Sequence, residues 1–241
     1  MSARRAQVSP WAPFEDRRRA RDEKKHAVLR TAAQLFLDVG YHRATLNDVA
    51  TRLNITKPAL YNYFRSKEEI LDECYRLGQQ MAEEAIAAID EEGGDGLTRL
   101  RKLIRAYALL MTIDFGMCLV RLDDRELSGD AYRRVRAEKR QDDLAFRRYI
   151  EAGVADGSIV KCDPKLAAFV IAGSLNWIGH WYREGGAYSA DEIADHFARL
   201  LTTGLEARRT RGRGQSGKDG RANSRTQARA RRKPAPGGEG R

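Results

Sequence analysis

Cysteine, histidine and long apolar runs are all scarce in this chain, and each scarcity removes a class of protein. The three cysteines, Cys74, Cys118 and Cys162, are odd in number, lie far apart in sequence and form no C-x-x-C pair. They exclude a disulfide framework and read as reduced, packed thiols of a cytosolic protein. Of the four histidines, His180 has Glu184 one helical turn away, while His26, His42 and His196 are remote in sequence. Two potential ligands do not make a metal site. No run of about eighteen apolar residues occurs, and the N-terminal arginines precede no apolar segment, so neither a membrane span nor a signal peptide is expected. The expected setting is the cytoplasm, without a membrane.

Catalytic signatures are missing as well. No serine has glycines at both −2 and +2, so a G-x-S-x-G nucleophile elbow is absent. The stretch GRGQSGKD at 212–219 fits G-x-x-x-x-G-K, but Asp219 replaces the Ser or Thr and no strand precedes it. No catalytic residue, metal or cofactor is expected, and the chain does not read as an enzyme. β-type alternation bounded by hairpin turns is lacking too, which leaves an all-α fold.

What is present is charge, and it is unevenly spread. Residues 1–67 hold 14 Lys/Arg and 6 Asp/Glu, a net +8. Residues 68–205 hold 18 and 25, a net −7, and residues 206–241 hold 12 and 3, a net +9. A basic head and tail attract polyanions, and the acidic body between them argues against a general coat of positive charge. The 42% of hydrophobic residues in 241 suffices for a sizeable core.

Residues 1–15, with Ser9, Pro10 and Pro13 among charges, read as a loose arm. Leu29, Ala32, Ala33 and Phe36 then fall at i, i+3, i+4 and i+7, one helix face, and Gly40 stands where a left-handed cap belongs. Thr45 and Asp48 form a capping-box pattern before a short helix carrying Leu46, Val49, Ala50 and Leu53. Asn54 suits a tight turn, Ile55 supplies an apolar anchor there, and Thr56 caps the next helix, whose inner side holds Leu60, Tyr63 and Phe64. Ser66 starts a fourth helix with Glu69 in capping-box position and Ile70, Cys74, Leu77 and Met81 on one face. Further helical stripes run through Leu100, Leu103, Ile104 and Tyr107, and through Val135, Leu144, Phe146 and Ile150. A loop at 155–164 precedes helices at about 165–182 and 190–205, the last carrying Ile193, Phe197 and Leu200.

Two short helices joined by a three-residue turn make a helix-turn-helix. Pro58 lies within the first turn of the second helix, where the backbone N–H has no intrahelical partner. Thr56 and Lys57 stand at the positive end of that helix, suited to phosphate. Ala59 leaves the end slim enough for the major groove. Asn62 can read adenine through its amide, and the Tyr61 hydroxyl can bond phosphate. Lys67 offers a further backbone clamp.

The stretch GYHRATLNDVATRLNITKPALYNYFRSKEEIL, residues 40–71, resembles the N-terminal domain of TetR-family transcriptional regulators. The match lies in Gly-aromatic, Thr, a small helix, then a capped helix ending in Leu-Tyr-x-aromatic-Phe and Lys-Glu. It covers about an eighth of the chain, departing at Asn54, where the family usually has Gly, and at Pro58, where Gly or a small polar residue is usual. The resemblance implies an all-helical homodimer on a double-stranded DNA operator, with a helix-turn-helix domain (16–67) and a ligand-binding and dimerisation domain (68–205) whose last two helices form the dimer interface; the charge division adds a basic tail (206–241). By the same match Thr45, Thr56, Lys57, Tyr61 and Lys67 meet phosphates, while Ala59 and Asn62 face bases.

In the body, AFVIAGSLNWIGHWYREGG sets Asn176, Trp177, His180 and Trp181 along one helix, as a pocket wall, a dimer surface or plain core. Tyr107, Met111, Phe115, Met117 and Arg121 supply the opposite wall; Arg121 is either a partner for an anionic group or half of a surface salt bridge. The aromatic helix resembles that of regulators of lipid, sterol and aromatic catabolism that sense acyl-CoA thioesters. The resulting expectation is a repressor released from a palindromic operator by a small-molecule effector. The rival is a helical nucleic-acid scaffolding protein that works through its tail.

The tail from Arg208 has no aliphatic residue larger than Ala and cannot offset its ordering entropy by burial. It reads as a solvated terminus, a polyanion-binding arm or an RG-type nucleic-acid segment, with non-specific DNA affinity the favoured role. Deleting 208–241 is expected to flatten the slope of log K against log salt for DNA binding. An unchanged slope in filter-binding titrations would leave a solvated terminus.

Overall fold

A computed structural model describes residues 12–207; residues 1–11 and the tail from Arg208 lie outside the described residues. Among the described residues nine α-helices and one 3-10 turn (Asp124–Glu126) carry the chain, and pairing of β type is confined to one bridge between Ile159 and Glu206. The helices are α1 (Ala12–Val39), α2 (Leu46–Arg52), α3 (Lys57–Tyr61), α4 (Lys67–Glu92), α5 (Gly96–Leu110), α6 (Asp114–Arg121), α7 (Gly129–Asp156), α8 (Pro164–Trp181) and α9 (Ala190–Thr203). None of them alone is long and apolar enough to cross a membrane. The all-α expectation holds. α1 starts at Ala12, so residues 12–15, assigned to the arm, are helical.

The α2–α3 turn follows from local chemistry. Thr45 and Asp48 cap α2 reciprocally: the Thr45 hydroxyl accepts from the Asp48 N–H at 3.2 Å, and the Asp48 carboxylate accepts from the Thr45 N–H at 3.0 Å. Asn54 takes φ +52°, the left-handed region open to Asn at small cost. That geometry closes a Schellman motif, with the Ile55 N–H donating to the Ala50 carbonyl at 3.0 Å and the Asn54 N–H to that of Thr51 at 3.0 Å. Thr56 then accepts from the Ala59 N–H at 3.4 Å and starts α3 at once.

Several expected anchors are placed otherwise. Ile55 is 36% exposed, because the Schellman closure turns it outward, and Leu53 packs against the core instead. The Glu69 carboxylate accepts from the Arg65 N–H at 2.6 Å rather than from Ser66, so α4 has a Ser66 cap without the reciprocal half of the box. Met81, Leu144 and Leu200 are exposed, each at the edge of its helical stripe. α3 stops at Tyr61, which leaves Asn62 as its C-cap and Tyr63 and Phe64 beyond the helix.

Two apolar cores organise the described residues. The body's core gathers Leu100, Ile104, Phe146, Ile171, Ile178 and Ile193 from α5, α7, α8 and α9. The head's core joins Leu29, Phe36, Val49, Leu60 and Phe64 to Ile70, Cys74 and Tyr75 of α4, and it also takes in Cys118 of α6, Leu127 at the end of the 3-10 turn and Val135 of α7. Each such side chain contributes about 1.5–3 kcal/mol on full burial. The head is thus not closed on itself. α6, which no periodicity outlined, packs against α1, α4 and α8 together.

Candidate nucleic-acid interface and cavity

The exposed surface of α2 and α3 follows from what the core takes. Leu60 and Phe64 are buried, so Thr56, Lys57, Pro58, Tyr61 and Asn62 face outward, with Ala59 half-buried between them. The Thr56 hydroxyl accepts from the helix and keeps its own hydrogen to donate. The Lys57 ammonium lies 5.9 Å over the Tyr61 ring and meets no carboxylate among the described residues. With its small Ala59 face, this end can enter a major groove, and Asn62, at the C-cap, sits at the far end of the exposed row.

Two expected phosphate contacts are otherwise engaged. The Lys67 ammonium donates to the carbonyls of Tyr41 at 2.8 Å and His42 at 3.2 Å and lies 4.4 Å over the Tyr41 ring. Lys67 therefore braces the α1–α2 connection. The Thr45 hydroxyl donates to Asp48 at 2.7 Å, so its hydrogen is taken by the capping box. Arg65 was missed: it is exposed just past α3, and its guanidinium has no partner among the described residues. A cation directly after the Leu-Tyr-x-aromatic-Phe stretch was the available signal.

A cavity of 290 Å³ opens in the body. α4 supplies Tyr75 and Gln79, α5 supplies Tyr107, and α6 supplies Leu119 and Val120. α7 adds Glu138, Asp142 and Phe146, and α8 adds Asn176 and His180. Of the expected lining, Tyr107, Asn176 and His180 are brought together here. The other six are not; Met117 packs against the body's core. Trp177, 62% exposed, and Trp181 stand on the outer face of α8, with Trp177 stacked on His180 at 5.1 Å. Met111 fills the body's core, Phe115 packs on the head's core, and Arg121 donates to the Leu37 carbonyl at 3.2 Å, tying α6 to α1.

The cavity's polar groups are incompletely satisfied. Asn176 Oδ1 is buried with no hydrogen-bond partner among the described residues. Asp142 accepts from Gln79 Nε2 at 3.3 Å and has no cation beside it. Burial pushes its carboxyl up to about 6, and the nearby Glu138 and Glu83 charges push the same way. A raised carboxylate favours the protonated folded state. Its contribution is complete below the ordinary aspartate value and is lost as pH rises through about 6. Asp142→Asn keeps the Gln79 bond and should stabilise the protein by about 1–2 kcal/mol at neutral pH. Its stability should also fall less between about pH 4 and pH 6. Thermal unfolding of both proteins across that range checks this, and parallel pH curves would contradict it.

A basic helix-turn-helix presented by a helical body defines a DNA-binding protein of the regulator class. Residues 28–74 match the model described as "Bacterial regulatory proteins, tetR family", and residues 93–205 match "Tetracyclin repressor-like, C-terminal domain". The chain belongs to the tetR family of bacterial regulatory proteins. It is similar to the TetR family transcriptional regulator PfmR from Thermus thermophilus, at 30% identity over 74% of this chain and 98% of that one, with TM-score 0.66. AibR, solved in complex with isovaleryl coenzyme A and operator DNA, is 26% identical over 73% of this chain and 97% of its own, with TM-score 0.64. The transcriptional repressor KstR2 of Rhodococcus jostii (strain RHA1) is 25% identical over 199 residues, 80% of this chain and 96% of the relative.

Proposed function

We propose that the protein is a homodimeric repressor that binds a palindromic operator through α2 and α3 and leaves it when a small effector enters the body's cavity. One observation carries the coupling: Tyr75 lines the cavity and is at once a fully buried member of the head's core. Its hydroxyl donates to the Leu122 carbonyl at 3.1 Å, just after α6. A ligand that shifts Tyr75 or Gln79 therefore acts on the helix that carries the head. It need only bind one arrangement better; a coupling of about 1–3 kcal/mol changes operator affinity roughly 5- to 150-fold.

Dimerisation is supported by α8. Leu166, Val170, Trp177 and Trp181 form an exposed apolar stripe, with Leu166 at 62% and Val170 at 64% exposure, and Leu200 of α9 is exposed as well. To meet two successive major grooves, a second copy covering this face must set the two α3 helices about 34–36 Å apart, one turn of DNA. The AibR complex with isovaleryl coenzyme A supports an acyl-CoA thioester as the effector class. In this reading Thr56, Lys57 and Tyr61 hold phosphates, and Ala59 and Asn62 meet bases. Gel-shift titrations of operator DNA with a panel of acyl-CoAs test it. Operator affinity unaltered by every thioester, with free acids or drugs releasing the DNA instead, would remove the thioester reading.

A further inference from the structure

The cavity does not end at its own walls. A second, larger groove between α7 and α8 shares Lys139, Asp143 and Ala172 with it, so the two are contiguous. Along α8 the sharing is regular: Lys165, Phe169 and Ala172 edge the groove, and Ala172, Asn176 and His180 edge the cavity, all at helical spacing on one side. The two halves differ in charge. The cavity holds Glu138 and Asp142, whereas the groove is lined by Arg136, Arg140, Arg147 and Lys165.

Three of these four cations are not consumed by neighbours. Arg134 pairs with Asp72 and Glu138, and Lys139 with Asp124 at 3.4 Å, but Arg136, Arg140 and Lys165 meet no carboxylate among the described residues. Asp143, the one acid in the groove, is paired with Arg147, whose Nε is nevertheless buried without a partner, as is Asp143 Oδ1. Between them stands Phe169, 51% exposed, with the Arg147 guanidinium 5.5 Å and the Lys165 ammonium 5.8 Å from its ring. An aromatic face beside clustered cations is what a planar base carrying phosphates requires.

We propose that this groove is the second half of the effector site, taking a phosphate-bearing nucleotide end while the cavity takes a compact, neutral head. Resting on the effector-responsive reading above, this fixes the ligand's orientation. Phosphates are drawn to Arg136, Arg140 and Lys165 and kept from Glu138 and Asp142. Asn176 Oδ1 needs an N–H or O–H, which an amide N–H of the coenzyme's arm supplies, while the head packs on the rings of Tyr107 and Phe146. A free short-chain acid, lacking the nucleotide, has nothing to place in the groove and its carboxylate is repelled in the cavity.

Calorimetry of the full-length protein with isovaleryl-coenzyme A, coenzyme A, isovalerate and inorganic pyrophosphate tests this, alongside operator gel shifts without ligand. Both coenzymes should bind, isovalerate and pyrophosphate at least tenfold more weakly. The Arg136→Glu/Arg140→Glu protein should bind the coenzymes roughly a hundredfold less tightly, at about tenfold or more per lost charged contact, with operator affinity unchanged. Phe169→Ala should weaken the coenzymes without touching the charges. Absent heat with both coenzymes, pyrophosphate binding as tightly as coenzyme A, or full affinity in the double variant would each overturn the assignment. Loss of operator affinity in the double variant would overturn it too, by giving the groove to DNA. Failure of the wild type to bind any operator would instead strike the repressor reading and leave the calorimetry readable.

Discussion

Lys57→Glu should weaken operator binding about a thousandfold and leave thermal unfolding unchanged. Lys57 is the first residue of α3, exposed, with its ammonium 5.9 Å over the Tyr61 ring and no carboxylate partner among the described residues. Its removal leaves no cavity and no orphaned polar atom, so stability should move by less than about 0.5 kcal/mol. On DNA the position is different. The ammonium and the Thr56 hydroxyl stand at the positive end of a helix, where a phosphate is favoured. A lost charge-assisted bond costs about 1.5–3 kcal/mol, and a glutamate there adds repulsion. A dimer meets two half-sites, so the loss is doubled to about 4 kcal/mol or more, a factor of about a thousand. Gel shifts and a thermal melt on the same preparation decide it; a loss below about tenfold would take Lys57 out of the interface.

The largest effect on stability is expected at the elbow between α5 and α6. A Cβ added to Gly116 would lie 1.8 Å from the Leu110 carbonyl oxygen and 2.6 Å from its carbon. These are backbone atoms at the end of α5 and cannot swing aside as a side chain would. Gly116→Ala must therefore push α6 off α5, and α6 packs on α1, α4 and α8. The cost should reach about 3–5 kcal/mol, which lowers Tm by roughly 6–20 °C in a chain of this size. Gly204→Ala is the control: that position has φ −78° and open space around its hydrogen. A Gly116→Ala melt matching the Gly204→Ala melt would show that α6 does not seat on α5 as described.

The parts legible in the sequence were those decided within a few residues. Thr45 with Asp48, Asn54 at positive φ and Thr56 before Pro58 each work through bonds to their own neighbours, so spacing alone exposes them. The end of α3 was not legible, because Tyr63 and Phe64 continue an apolar pattern that serves the core from outside the helix. Lys67 looked free because the carbonyls it binds, those of Tyr41 and His42, are more than twenty residues away. Trp177 and Trp181 share a helix with Asn176 and His180, and a helix period does not say which of its two apolar sides meets the body and which a second copy. The cavity depends on residues from five helices, and Gln79 with Asp142 has no local signature. The groove beside it was not legible either, because the arginines of α7 gain their meaning only from Phe169 and Lys165 arriving from α8.

The central claim is that one dimer reads a short palindrome and releases it on binding an effector. Nuclease footprinting of the full-length protein on the DNA upstream of its own gene, with and without isovaleryl-coenzyme A, tests this most directly. The expected result is a sharp, two-fold symmetric protected segment with half-sites one helical turn apart, lost as the thioester is added. Diffuse protection along the fragment, unaffected by the thioester, would contradict it and favour a nucleic-acid scaffold acting through its basic tail.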